Sequence, residues 1–154
     1  QLARMLDVDA HVEWRDHVPD RDMANFYRAA GVFAMPSRYE PFGMTAVEAM
    51  ASGAPTVVTV HGGLEGMFDF GTHALYADPH RPAEFATLLS LPLRYPRLRE
   101  RLVIDGAHWA SQTFGWSRIA QRTATLFSEV LESRSLTRSS GDGQLEGFLA
   151  GATT

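Results

Sequence analysis

VFAMPSRYEPFGMTAVEAMASGAPTVVTV, Val32 to Val60, decides the fold. Two short apolar runs, Val32 to Met35 and Thr56 to Val60, flank a stretch from about Met44 to Ser52 whose apolar residues recur at helical spacing. The second run is β-branched and too apolar for an exposed edge, which suits the interior of a parallel sheet. Gly53 stands where a left-handed helix terminus favours glycine, and Pro55 prevents the helix from continuing. The junction before the helix sets a separate problem. A cap and an apolar stripe suffice to cover a sheet, yet Glu40, Pro41, Phe42 and Gly43 follow one another immediately.

Outward from this unit the same alternation continues. QLARMLDVDA begins like the end of a helix, Val12 to Trp14 reads as a short strand, and Asp20 is placed to cap a helix that stops before Gly31. HGGLEGMFDFG, His61 to Gly71, is a glycine-marked loop, followed by a strand at Ala74 to Tyr76. Pro82 to Ser90 is helical, with Phe85, Leu88 and Leu89 on one face. YPRLRERLVIDGAHWASQ gives another helix, bent or interrupted near Gly106, and Ser117 begins a last one with a packing face of Ile119, Thr123, Leu126, Phe127 and Val130. Past about Leu136 the period is lost and Gly, Ser and Thr accumulate, so residues 1–135 are read as the domain and 136–154 as a flexible tail. Alternating strands and helices imply an α/β domain with a mainly parallel sheet, whose ligands lie at the loops leaving the carboxyl ends of its strands. The Glu40 loop and the His61 to Gly66 loop both leave such ends, and they can line one crevice.

Bulk properties narrow the partners. The 154 residues are 45% aliphatic and aromatic, enough for a core, and carry a formal charge of only -4. No basic cluster is interleaved with aromatics, so a nucleic-acid partner is not expected, whereas a phosphate-bearing small molecule is compatible with this balance. There is no cysteine, which removes disulfides, thiol catalysis and cysteine metal sites. No apolar run reaches the roughly 18 residues that span a bilayer, so no transmembrane segment and a cytoplasmic location are expected. The chain starts without Met, consistent with a piece of a longer protein or a processed product.

Glu48 falls about one helical turn beyond Met44 and Thr45, near the loop that carries Glu40, so both carboxylates can address one hydroxyl-rich ligand. Gly43 keeps no side chain between a ligand and the backbone, and the unpaired first-turn N–H groups beyond it suit a pyrophosphate. The plainer alternatives remain open. Thr45 and Glu48 have the spacing of a capping box, Glu40 can be a solvent-facing acid, Phe42 can be core, and Gly43, Gly62 and Gly63 can be turn glycines.

EPFGMTAVE, from Glu40 to Glu48, resembles the E-x7-E motif of the retaining glycosyltransferases of family four. It stands in that family's order, with MPSRYEPFG, EAMASGAPTVVT, a GG loop, a short strand and an FGWSRIAQR helix start, so the resemblance covers about Gln1 to Leu131. Within the family, TVHGG and FGTHALYADPHRPAEF are similar to the sucrose-phosphate synthase and mannosylfructose-phosphate synthase group. The resemblance implies a Rossmann-like three-layer domain, the carboxyl-terminal half of a GT-B enzyme without its N-terminal part. It implies that Glu40 is the catalytic carboxylate on the donor-sugar hydroxyls and that Glu48 holds the nucleotide ribose. Phe42, Gly43, Met44 and Thr45 would line the donor, with His61, Gly62 and Gly63 on a second loop.

The implied reaction is retaining transfer of a hexosyl group from a UDP-, GDP- or ADP-hexose to a small acceptor, such as fructose 6-phosphate. No cofactor or metal is implied, and the other GT-B domain, in the same or a companion chain, is the implied partner. Two features depart from the family pattern. The Arg and Lys that neutralise the leaving diphosphate would lie upstream of Gln1, and neighbouring Arg38 is not assigned their role. Glu65 and Gly66 break the usual register after GG, so Glu65 is not assigned to the donor. A non-catalytic nucleotide-sugar-binding module and a structural interaction domain are the alternatives, while nothing places Glu40 and Glu48 on opposite sides of a glycosidic bond as a hydrolase needs.

Overall fold

A computed structural model describes the backbone of residues 1–150 and the side chains of residues 1–133. The chain divides into a compact unit, Gln1–Ala110, and a second unit from Ser111 onward. In the first, helix α1 (Leu2–Met5) and a 3-10 turn (Asp9–His11) precede α2 (Asp20–Ala29), β1 (Phe33–Met35), α3 (Met44–Ala51), β2 (Thr56–Thr59), β3 (Leu75–Ala77), α4 (Pro82–Arg94) and most of α5 (Pro96–Phe114). The three strands pair in parallel in the order β1-β2-β3, with Ala34 opposite Val57 and Val57 opposite Leu75. Every residue of central β2 is buried, as its β-branched composition requires. Its two threonines are satisfied locally. Thr56 Oγ1 donates to the Ala54 carbonyl at 2.9 Å, and Thr59 Oγ1 accepts the His61 N–H at 3.1 Å.

Strand alternation sorts the core onto the two faces of the sheet. Phe33 packs with Tyr27, Met23, Ala49 and Ala54 beneath α2 and α3. Val32, Val57, Leu75 and Ala77 pack with Phe85, Leu88, Leu89, Leu98 and Leu102 from α4 and α5. Buried Val57, Leu75, Phe85 and Leu102 each contribute roughly 1.5–3 kcal/mol relative to exposure, so the α4 and α5 layer is held by the sheet rather than by propensity. Because the strands are parallel, their carboxyl ends share one edge. The loops following Met35, Thr59 and Ala77 all leave from it.

Several sequence expectations need correction. Val12 to Trp14 is not a strand; no neighbour among the described residues pairs with it, and Trp14 is 77% exposed. Asp20 does not cap α2 but is its first helical residue, with Pro19 in the capping position and no side-chain cap bond. α4 continues beyond Ser90 to Arg94 with Pro92 inside it, where the buried ring offsets the missing donor. α5 is not interrupted at Gly106. The glycine lets the helix lie against the His73 carbonyl, which a Cβ at that position would meet at 2.6 Å. Gly53 does adopt the left-handed conformation, with φ 83°.

In the second unit, α6 (Trp116–Ala150) begins one residue before Ser117 and runs through most of the stretch read as a tail; residues 151–154 lie outside the described residues. Its expected packing face is open instead, with Leu126, Phe127 and Val130 all exposed. Among the described residues no helix is long and apolar enough to cross a membrane.

Candidate functional site

The Glu40 loop and the glycine loop are joined backbone to backbone. The Glu40 N–H donates to the His61 carbonyl and the Gly63 N–H donates to the Glu40 carbonyl, both at 3.0 Å, forming a parallel bridge between Glu40 and Gly62. Only glycine permits this approach. A Cβ on Gly62 would lie 2.5 Å from the Glu40 carbonyl oxygen, and one on Gly63 would meet the Pro41 carbonyl and the Phe42 backbone. Gly62 and Gly63 are therefore close-approach glycines. The glycine loop is also tied to β3, because the Tyr76 hydroxyl donates to the Leu64 carbonyl at 2.5 Å. Burial raises the Tyr76 pKa and keeps that hydroxyl protonated.

Gly43 is a packed turn glycine. It is buried at the N-cap of α3 with φ 101°, and a Cβ would strike Leu64 Cδ1 at 2.8 Å and Met35 Cε at 3.0 Å. Its missing side chain makes room for packing and for a left-handed turn. The capping box does not form either. Thr45 is the second helical residue rather than the cap, α3 has no side-chain cap bond, and Thr45 Oγ1 points at Met35 Sδ, 3.8 Å away. Among the described residues the first-turn N–H groups of Met44 and Thr45 have no acceptor, at the positive end of the helix.

With the cap excluded, Glu48 has another partner. The Tyr27 hydroxyl donates to Glu48 Oε2 at 3.3 Å, and both line a cavity of about 340 Å³ between α2 and α3 with Asp20, Met23, Ala24, Ala51 and Ser52. Burial, then the Glu48 charge, raises the Tyr27 pKa above its ordinary 10.0, so the phenol remains a donor at neutral pH. Glu40 is half-buried and accepts a hydrogen bond from Ser37 Oγ at 3.1 Å. The two carboxylates are thus oriented separately, and Glu40 does not line the cavity that holds Glu48. Met44 and Thr45 are exposed at the helix start, and Phe42 is half-buried rather than core.

Tyr27 and Ser37 were missed by sequence reasoning. Tyr27 carries a faint signal, four residues after Met23 on the buried stripe of α2, but nothing local announces its reach to Glu48. Replacing Tyr27 by Phe should remove an alkaline absorbance step lying above pH 10 and cost about 0.5–1.5 kcal/mol in denaturant unfolding. The sign follows from the raised folded-state value. This contribution is complete below the ordinary tyrosine pKa and fades as pH rises through the folded one.

The remaining edge residues divide cleanly. His61 Nε2 lies 3.3 Å from Asp78 Oδ1, and His80 donates its backbone N–H to the same oxygen at 2.8 Å. That backbone bond, followed by the His61 contacts, lowers the Asp78 pKa. His73 accepts the Asp69 N–H at its Nδ1 and stacks on Trp109, a structural role. Arg38 and Glu65 are exposed.

The sequence profile of the family described as Glycosyl transferases group 1 matches residues 1–109, nearly the whole first unit. Mannosylfructose-phosphate synthase of Agrobacterium fabrum is 46% identical over 126 residues, covering 82% of this chain and 28% of that protein. Among solved structures, sucrose-phosphate synthase of Thermosynechococcus elongatus matches with a TM-score of 0.78 at 27% identity, over 86% of this chain and 33% of that one. Anabaena HepE in complex with UDP-glucose shares the fold, with a TM-score of 0.75 at 23% identity over 82% of this chain and 35% of that one. The chain spans about a third or less of the length of these three relatives, and its parallel sheet flanked by helices corresponds to one half of a GT-B fold.

Proposed function

Because this chain belongs to the glycosyl transferases group 1 family, we propose that it is the nucleotide-sugar-binding half of a two-domain, retaining hexosyltransferase. The donor is a UDP-, GDP- or ADP-hexose, and the acceptor is a small molecule such as fructose 6-phosphate. The observation that carries this is the arrangement around α3. Glu40 and Glu48 are each steadied by a hydroxyl donor, on either side of a helix start whose first N–H groups are unused. Glu48, beside Tyr27 in the α2–α3 cavity, takes the ribose hydroxyls, and Glu40 takes hydroxyls of the sugar. The diphosphate lies between them at the N–H groups of Met44 and Thr45, which match a negative group. His61, Gly62 and Gly63 border the donor from the second loop, and Phe42 supports the first.

During transfer, the bond from the anomeric carbon to the diphosphate breaks while the acceptor hydroxyl oxygen bonds to that carbon from the departing side and passes its proton to the leaving diphosphate, which retains configuration. Negative charge grows on the leaving oxygen, and oriented backbone donors stabilise it without reorganising. Further cationic groups and most of the acceptor site belong to the other domain. A phosphorylated acceptor is supported by the names of the Agrobacterium and Thermosynechococcus relatives, and a nucleotide sugar by the HepE complex. No cofactor enters this reaction, and a cytoplasmic location fits a donor of this class.

The test is product analysis with the full-length protein that contains this chain, offered UDP-, GDP- and ADP-hexoses with fructose 6-phosphate and unphosphorylated sugars. A glycosyl product with the donor's anomeric configuration is expected. Donor binding without any product would make it a non-catalytic binding module.

A further inference from the structure

The carboxyl edge carries a second cluster of side chains, separate from the two glutamates. His61 follows β2, and Asp78 and His80 follow β3; one ligand atom from each lies within 4.8 Å of the others. No local spacing in the sequence announces this group, because the parallel pairing of β2 with β3 brings His61 to a carboxylate seventeen residues away.

We propose that His61, Asp78 and His80 form a binding site for a divalent transition ion of the zinc type, clamping the loop after β2 to the loop after β3. Geometry supports it first. Two ligands on a tetrahedral ion with bonds of about 2.0–2.1 Å stand about 3.3–3.4 Å apart. His61 Nε2 and Asp78 Oδ1 are already 3.3 Å apart. Rotation of the exposed His80 imidazole, whose ring centroid is 5.6 Å from that of His61, closes the third bond.

The surroundings also hold the ligands in place. The His80 N–H fixes Asp78 Oδ1 at 2.8 Å, Arg81 Nε stands 3.7 Å from Oδ2, and the His61 backbone is anchored to buried Thr59. Such outer contacts orient ligands in metal sites. A plain His–Asp hydrogen bond uses only two members of the group and leaves the His80 imidazole with an edge-on ring contact to His61. Two imidazoles and one carboxylate select zinc, cobalt or nickel over magnesium and calcium, which prefer oxygen throughout. Water completes the coordination, since His61 and His80 are both exposed.

The chain, freed of metal with a chelator, is titrated with Co2+ alone and followed by its visible absorption, then with Zn2+ in competition. One equivalent of Co2+ should develop the intense bands of a four- or five-coordinate complex, which one equivalent of Zn2+ should abolish and excess Mg2+ should leave intact. His80→Ala and Asp78→Asn should each weaken Co2+ binding by about tenfold or more, while His73→Ala should not. Thermal melts of the metal-free variants separate lost ligands from lost folding, and exposed His80 gives the cleaner case. A spectrum that remains that of the hexa-aquo ion, or Co2+ binding unchanged in both His80→Ala and Asp78→Asn, overturns the site. No nucleotide sugar is present, so this outcome is independent of the donor assignment.

Discussion

Replacing Gly62 by alanine should destabilise the domain by about 1–3 kcal/mol and displace Glu40 from the position proposed above to meet the donor sugar. The cause is collision rather than backbone conformation. The new methyl would stand 2.5 Å from the Glu40 carbonyl oxygen and 3.0 Å from the Glu40 Cβ, so the two loops must separate. Separation breaks the paired bonds from Glu40 to His61 and from Gly63 to Glu40, the links that fix the carboxylate's backbone. Denaturant unfolding reads the stability loss through a lower midpoint with an unchanged slope. Calorimetry at a temperature where the variant is folded should then show UDP-glucose binding more weakly, with UDP less affected. A variant as stable as the parent would mean that the loops are not closed on each other as described.

Glu40→Gln is the second change with a large expected effect, and it acts without moving the loop. The amide keeps the shape and can still accept the Ser37 hydroxyl, but it withdraws the charge that strengthens a hydrogen bond from a sugar hydroxyl. Loss of one charge-assisted bond of this kind corresponds to about 1.5–3 kcal/mol, or roughly ten- to hundredfold in affinity or transfer rate. Tyr27→Phe offers the contrast, since it removes a donor that steadies Glu48 and leaves the carboxylate itself in place.

The backbone of the site was legible in the sequence where the signal is local. Thr56 to Thr59 is a buried central strand because four residues in a row suit burial on both faces, and α3 follows from the spacing of Ala46, Val47, Ala49 and Met50. Gly53 and Pro55 ended that helix where their backbone preferences require. Much of what failed depended on a distant partner. Val12 to Trp14 has strand-like residues but no neighbouring strand to pair with. Thr45 and Glu48 have the spacing of a capping box, but the left-handed Gly43, fitted against Leu64 and Met35, moves the cap two residues earlier. The Tyr27–Glu48 bond and the His61–Asp78 contact join residues seventeen or more apart, so no local window contains them.

The family resemblance supplied the assignment of donor roles to Glu40 and Glu48; the fold supplies the neighbours that make those roles physically reasonable. It also removes the competing explanation for Glu48, which caps nothing.

The division of labour along α3 is tested most directly by calorimetric titration of the parent chain, Glu40→Gln and Glu48→Gln, each with UDP and UDP-glucose and with the GDP and ADP counterparts. Ribose is common to the nucleotide and the nucleotide sugar, whereas the hexose is present only in the latter. Glu48→Gln should therefore weaken both ligands of the preferred base by a similar factor, and Glu40→Gln should weaken the nucleotide sugar alone. Affinities for both ligands that neither substitution changes, or a parent chain that binds none of them, would contradict the placement of the donor on this edge.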